Sequence, residues 1–174
     1  MEHKQLLTVF NSLPVGIGFF TADGTLVRCN ESFCRIFGAD SQTLLGNKLN
    51  INENSVVPDV VKEAVRRCVP VQMSFLYDFD KQRTDKRFFS TRTRTCYLKC
   101  NGNPLYDNDG KFVNYIFIFE DITETVKSEE VLRQSRRKTE LAMKAANIMF
   151  WEFDAVAKLF YSDNEPLNGY DQSK

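Results

Sequence analysis

Phe112-Val113-Asn114-Tyr115-Ile116-Phe117-Ile118-Phe119-Glu120-Asp121-Ile122-Thr123 is the stretch on which the fold turns. Tyr115, Phe117 and Phe119 alternate with Ile116 and Ile118, the period of a β-strand. Both faces are apolar, so the strand is expected to be covered on both, its second face by the N-terminal helix or by a partner subunit. Just upstream, Asp107-Asn108-Asp109-Gly110 is a turn signal. Before it, Thr91 to Leu105 alternates as well, with Cys96, Leu98 and Cys100 on one face. After the strand, Asp121 can cap a following helix, with Glu124 at capping-box spacing.

Working outward, Leu6, Leu7, Val9, Phe10 and Leu13 recur at helical spacing and predict an amphipathic helix that stops before Pro14. Val15 to Thr21 and Thr25 to Cys29 read as strands joined by the tight turn Ala22-Asp23-Gly24. Gly16 and Gly18 alternate with apolar residues, which marks a face where something packs closely. Asn30 is a helix N-cap, Phe33, Ile36 and Phe37 share a face behind it, and Gly38 suits a left-handed stop. Ser41 to Leu45, stopped by Gly46, is a further helical turn. The clearest helix covers about Val56 to Cys68, with Pro58 in its first turn and a stripe of Val57, Val60, Val61, Ala64, Val65 and Cys68. Val71 to Phe79 is β-rich, and Asp80 to Arg87 reads as a solvated loop or hairpin end. Five antiparallel strands with helices grouped between the second and third predict an α+β domain.

That order resembles the PAS family of sensor domains over about residues 5–126. The resemblance rests on Pro14-Val15-Gly16-Ile17-Gly18, the Asp23-Gly24 turn, the run Asn30-Glu31-Ser32-Phe33-Cys34-Arg35-Ile36-Phe37-Gly38, Pro104-Leu105-Tyr106-Asp107 to Gly110, and the PAC-type close Phe119-Glu120-Asp121-Ile122-Thr123. It implies a five-stranded antiparallel sheet with short helices on one face around a pocket, an N-terminal helix and a C-terminal linker helix. It also implies that Asp121, Ile122 and Thr123 relay a signal into that linker. The corresponding division is 1–13 N-terminal helix, 14–123 PAS sensory domain, 124–147 charged linker helix and 148–174 a truncated second PAS-like unit. The last rests on a repeat: Leu141 to Asn147 and Ile148 to Asp154 echo the opening helix and strand, and Asn168-Gly169-Tyr170-Asp171 echoes Phe37-Gly38-Ala39-Asp40.

The linker carries many charges and a thin apolar seam of Val126, Leu132 and Leu141, so it is expected to pair with its symmetry mate as a short coiled coil. Lys plus Arg and Asp plus Glu are 23 each, so no net field favours nucleic acid or an anionic membrane. No apolar run approaches the roughly 20 residues of a membrane span, and no signal peptide opens the chain, which leads to the expectation of a cytoplasmic segment, with any membrane anchor of the parent lying outside it. The five cysteines read as free thiols. Cys96 and Cys100 lack the second ligand pair of a metal site.

Candidate pocket residues are Phe33, Phe37, Val61, Ala64, Val65, Leu98 and Cys100. No catalytic or metal residue is assigned: the sole histidine is His3, which removes Ser-His-Asp and Cys-His arrangements. The resemblance also argues against two cofactors. Haem-binding relatives place a histidine on the long helix, and flavin photosensors carry a cysteine in an Asn-Cys-Arg-Phe-Leu-Gln run; both features are missing. The leading expectation is the dimeric input module of a bacterial sensor histidine kinase, taking an unknown small ligand or partner and pairing through its N-terminal and linker helices. Alternatives are the input domain of a cyclic-dinucleotide enzyme or transcriptional regulator, a ligand-free dimerisation scaffold, and a thiol enzyme using Cys34 or Cys96.

Overall fold

The computed structural model describes residues 2–83, 90–146, 151–154, 156, 159–162 and 165–166. Helix α1 (Glu2–Ser12) ends ahead of Pro14, where the chain turns extended. Strands β1 (Gly16–Phe20) and β2 (Leu26–Cys29) form the expected hairpin. Helix α2 (Glu31–Phe37) starts at Asn30, whose side chain accepts from the Phe33 amide. It ends at Gly38, at φ 63°, the left-handed geometry that costs glycine least.

Next come α3 (Ser41–Gly46), α4 (Asp59–Arg67), β3 (Val71–Asp78), α5 (Phe79–Arg83), β4 (Thr95–Tyr106), β5 (Phe112–Asp121) and α6 (Thr123–Ala145). The five strands form one antiparallel sheet in the order β2-β1-β5-β4-β3. β5 is therefore central, and its Tyr115, Phe117 and Phe119 are buried, as the alternation predicts. On β4, Cys96, Leu98 and Cys100 point inward while Tyr97 and Lys99 are exposed. Residues of α2, α3 and α4 join this inner face in one apolar core. The fold is α+β, as expected.

Gly16 and Gly18 of β1 explain how α2 comes so close to the sheet. A Cβ on Gly16 would stand 2.9 Å from Ile36 Cδ1 and 3.0 Å from the Phe33 backbone, and one on Gly18 would meet the Phe20 and Phe33 rings at 2.8 Å.

Three expectations need correcting. The long helix begins at Asp59, not Val56; Pro58 precedes it in an extended conformation (ψ 144°) because the loop before it is pinned by Asn54. Val60 is 63% exposed and lies off the buried stripe of Val61, Ala64 and Val65, at the edge of the helix face that meets the core. The charged stretch after β3 opens with a short helix, in which Phe79 and Gln82 are buried; residues 84–89 of that stretch lie outside the described residues. Finally, among the described residues the second face of β5 is only partly covered, which leaves room for the partner subunit expected as the alternative cover. The Phe10 ring of α1 rests 6.0 Å from Phe19 on neighbouring β1, and Ile118 stays 36% exposed.

Contacts divide the chain after Val126. The second unit holds the remainder of α6 and three short antiparallel strands, β6 (Trp151–Asp154), β7 (Leu159–Ser162) and β8 (Glu165–Pro166). β6 and β7 pair as an antiparallel hairpin. Ile148 to Phe150 and Asn168-Gly169-Tyr170-Asp171 lie outside the described residues.

Gly16→Ala is expected to lower stability by about 1–3 kcal/mol, because the added methyl meets backbone that cannot turn aside. Gly46→Ala, where nothing lies within 4 Å, should be neutral or stabilising. Urea unfolding of both variants checks the pair.

Candidate functional site

The site is built on α2, and α2 is held by Asn30. The Asn30 side chain is fully buried. Its Oδ1 accepts from the Ile17 and Phe33 amides, both at 2.9 Å, and its Nδ2 donates to the carbonyls of Phe10 (3.0 Å) and Val15 (2.9 Å). That uses the full capacity of the amide. With α2 fixed, Phe33 and Phe37 project into the core. Their rings lie 4.5 Å apart, and Phe37 meets Phe119 at 5.3 Å and Tyr77 at 5.5 Å, both edge-on.

This aromatic packing leaves an internal cavity of about 20 Å³, room for a single water. Phe33, Phe37 and Val61 border it, with Phe20, Phe75, Tyr77 and Phe119. The remaining wall is the loop from Leu49 to Val57. Asn50 ties that loop to the β1–β2 hairpin, donating to the Asp23 carbonyl and to Thr25 Oγ1 at 3.0 Å each. Ala64, Val65, Leu98 and Cys100 are buried core residues that do not border the cavity.

Two of the lining residues, Asn54 and Tyr77, join Gln82 in a buried polar trio that the sequence reading missed. Asn54 Nδ2 donates to the Tyr77 hydroxyl at 3.1 Å, and that hydroxyl donates to Gln82 Oε1 of α5. All three residues are buried, and burial raises the Tyr77 phenol well above its usual range. The inward phase of Tyr77, paired with Cys96 across β3–β4, was the available signal.

A second cluster sits where β5 becomes α6. The Asp121 carboxylate accepts from the Thr123 amide at 3.1 Å and from the Thr123 hydroxyl at 2.6 Å. Thr123 Oγ1 in turn accepts from the Tyr97 amide, and the Ile122 amide donates to the Tyr97 carbonyl, each at 2.9 Å. The carboxylate thus closes a turn onto the residue two ahead, rather than reaching into the helix at capping-box distance. Arg92, also missed, completes the cluster: Nη2 donates to Asp121 Oδ2 at 2.9 Å and Nη1 to the Ile36 carbonyl of α2 at 3.0 Å. Its guanidinium lies 5.2 Å from the Phe79 ring centre. Burial alone would raise the Asp121 pKa, but the hydrogen bonds from Thr123 and Arg92 outweigh it and hold the carboxyl below its ordinary range.

Residues 10–127 match the family described as the PAS fold. The chain belongs to the PAS family. Over 157 residues it is 20% identical to the Escherichia coli (strain K12) protein named "Probable diguanylate cyclase DgcE", an alignment covering 90% of this chain and 14% of that protein. The chain therefore spans a small part of that relative. Among solved structures it resembles an RNA-binding Light-Oxygen-Voltage receptor (TM-score 0.58, 18% identity, 78% of this chain and 37% of that one). It also resembles the PAS domain of a Colwellia psychrerythraea protein (0.54, 15%, 71% and 99%) and one from a two-component sensor histidine kinase (0.51, 14%, 69% and 96%). At these identities the likeness is one of fold.

Burial slows, without abolishing, nucleophilic chemistry at the thiols of this PAS chain. Burial pushes Cys96 up to about 11 and Cys29 and Cys100 up to about 12, and it raises Cys34 as well. Little thiolate exists on such groups at neutral pH. Among the described residues no helix is long and apolar enough to cross a membrane, and no group of three metal-ligating side chains gathers.

Tyr77→Phe is expected to cost about 1–3 kcal/mol, because it strands the Asn54 amide and the Gln82 carbonyl in the core. Denaturant titration reads the loss, and an unchanged midpoint would show the trio to be dispensable.

Proposed function

We propose that this PAS unit is the input and dimerisation module of a larger signalling protein, and that its output leaves through Asp121, Ile122 and Thr123 into α6. The supporting observation is the double engagement of Arg92. One guanidinium holds both the last turn of the cavity-wall helix, at the Ile36 carbonyl, and the carboxylate that starts the output helix. A shift of α2 therefore alters the contacts that set the first turn of α6.

The filled interior favours a signal that needs no bulky ligand, either a protein partner or a rearrangement of the packing itself. Native mass spectrometry of the purified chain is expected to find no stoichiometric small molecule. Leu6 and Val9 on α1 and Val131, Leu132 and Leu141 on α6 are all more than half exposed, which supports pairing of two copies through these helices. The segment after α6 is read as the start of a second PAS-like unit in the parent.

For the parent's output, the similarity to DgcE supports a cyclic-dinucleotide enzyme as a second reading beside the sensor histidine kinase. A phosphoacceptor histidine followed by an ATP-binding domain, or a cyclase domain, in the parent's downstream sequence separates the two. We place this segment on the cytoplasmic side, where either output would act.

Arg92→Ala is expected to raise exchange of the first-turn amides of α6, led by Val126, by about tenfold or more while β1 keeps its protection. Equal exchange in variant and parent chain would sever the proposed path. Acid should act in the same direction. Because the folded-state pKa of Asp121 is depressed, its stabilising contribution is present above the ordinary carboxylate pKa and is lost as pH falls through the lowered value. Asp121→Asn should remove that pH dependence of α6 protection.

A further inference from the structure

The sulfurs of Cys29 and Cys34 lie 3.8 Å apart. Cys29 is the last residue of β2 and Cys34 sits in the second turn of α2. Both are partly accessible, whereas Cys96 and Cys100 are buried. Between the two thiols stands Asn30, whose Oδ1 holds the Phe33 amide and whose carbonyl accepts from the Cys34 amide. The approach of the sulfurs is therefore fixed by the strand-to-helix junction itself, not by a chance meeting across a loose loop.

We propose that Cys29 and Cys34 form a redox dithiol, closing to an intramolecular disulfide on exchange with a small-molecule disulfide of the glutathione type. A disulfide bond is about 2.0 Å long, so about 1.8 Å remains to be closed, a distance that side-chain rotation at two residues can cover. Burial raises both thiols, which slows the exchange at neutral pH, and since either sulfur can donate in their contact, either thiol can make the first attack, Cys34 in the sequence below.

The Cys34 thiolate attacks one sulfur of the oxidant. The oxidant's S–S bond breaks, and one glutathione leaves, taking up the proton that Cys34 released. Cys29 then attacks the Cys34 sulfur of the mixed disulfide. The second glutathione leaves with the Cys29 proton, and the Cys29–Cys34 bond is made. Two cysteines are oxidised and one glutathione disulfide is reduced to two thiols. Closure needs neither a ligand in the cavity nor a partner on α6. It would fasten the end of β2 to α2 across Asn30, making the cavity-wall helix responsive to thiol redox state.

Cleavage after Arg28 and Arg35 releases both cysteines in one peptide, residues 29–35. The full chain is incubated with oxidised glutathione, blocked with iodoacetamide and digested with trypsin. The expected peptide carries no alkyl group and is lighter by two hydrogens than its dithiol form. Cys29→Ser and Cys34→Ser should each leave a single glutathione or alkyl adduct instead. In glutathione redox buffers, the midpoint for closure should lie about tenfold or more toward the disulfide in the folded chain than in urea, because the fold holds the sulfurs in contact. A doubly alkylated peptide, a persistent glutathione adduct without closure, or equal midpoints with and without urea would each overturn the proposal.

Discussion

The buried amide of Asn30 is the constraint on which the rest of this PAS unit depends. Its four hydrogen bonds run to backbone groups of three segments: the end of α1, the opening of β1 and the first turn of α2. The amide itself has no exposed surface, so it is either fully satisfied or very costly. Its position sets the height and angle of α2 above the sheet, and the bare faces of Gly16 and Gly18 let the helix settle there. Phe33 and Phe37 then fall into the aromatic cluster with Phe119 and Tyr77, and the Ile36 carbonyl reaches Arg92.

The interior around α2 is densely filled. Close-packed cores pass strain on because their side chains have little free volume in which to absorb it. The input reading fits that property. Among the described residues, the elements around the cavity are joined to the sheet by ring contacts and to the Asp121 turn through Arg92, the route along which the proposed signal would pass. The dithiol beside Asn30 acts on the same helix from its other end.

Much of this was legible in the sequence, for identifiable reasons. The alternation of Cys96, Leu98 and Cys100, and of Tyr115, Phe117 and Phe119, has the strand period, and burial follows it. Asn30 and Gly38 carry local chemistry that marks helix ends wherever they occur. Phe33, Phe37 and Val61, apolar residues on the inward faces of α2 and α4, border the cavity. What stayed hidden depends on contacts distant in sequence. Arg92 is one charge among many in an irregular stretch, and only the fold brings it to Ile36, 56 residues earlier, and to Asp121, 29 residues later. The Asn54, Tyr77 and Gln82 trio likewise joins a loop, a strand and a short helix that no periodicity announces. Ala64, Val65, Leu98 and Cys100 read as cavity wall for the same reason that Phe33 did; apolar spacing alone does not tell filled core from empty space.

The most direct test is the stability of the full chain carrying Asn30→Ala, measured by urea unfolding with far-ultraviolet circular dichroism. The account predicts a loss of about 3–5 kcal/mol, with Asn30→Asp, which keeps both acceptor contacts and loses both donors, also strongly destabilised. A loss below about 1 kcal/mol for Asn30→Ala would mean that α1, β1 and α2 are held by other contacts, and would contradict it.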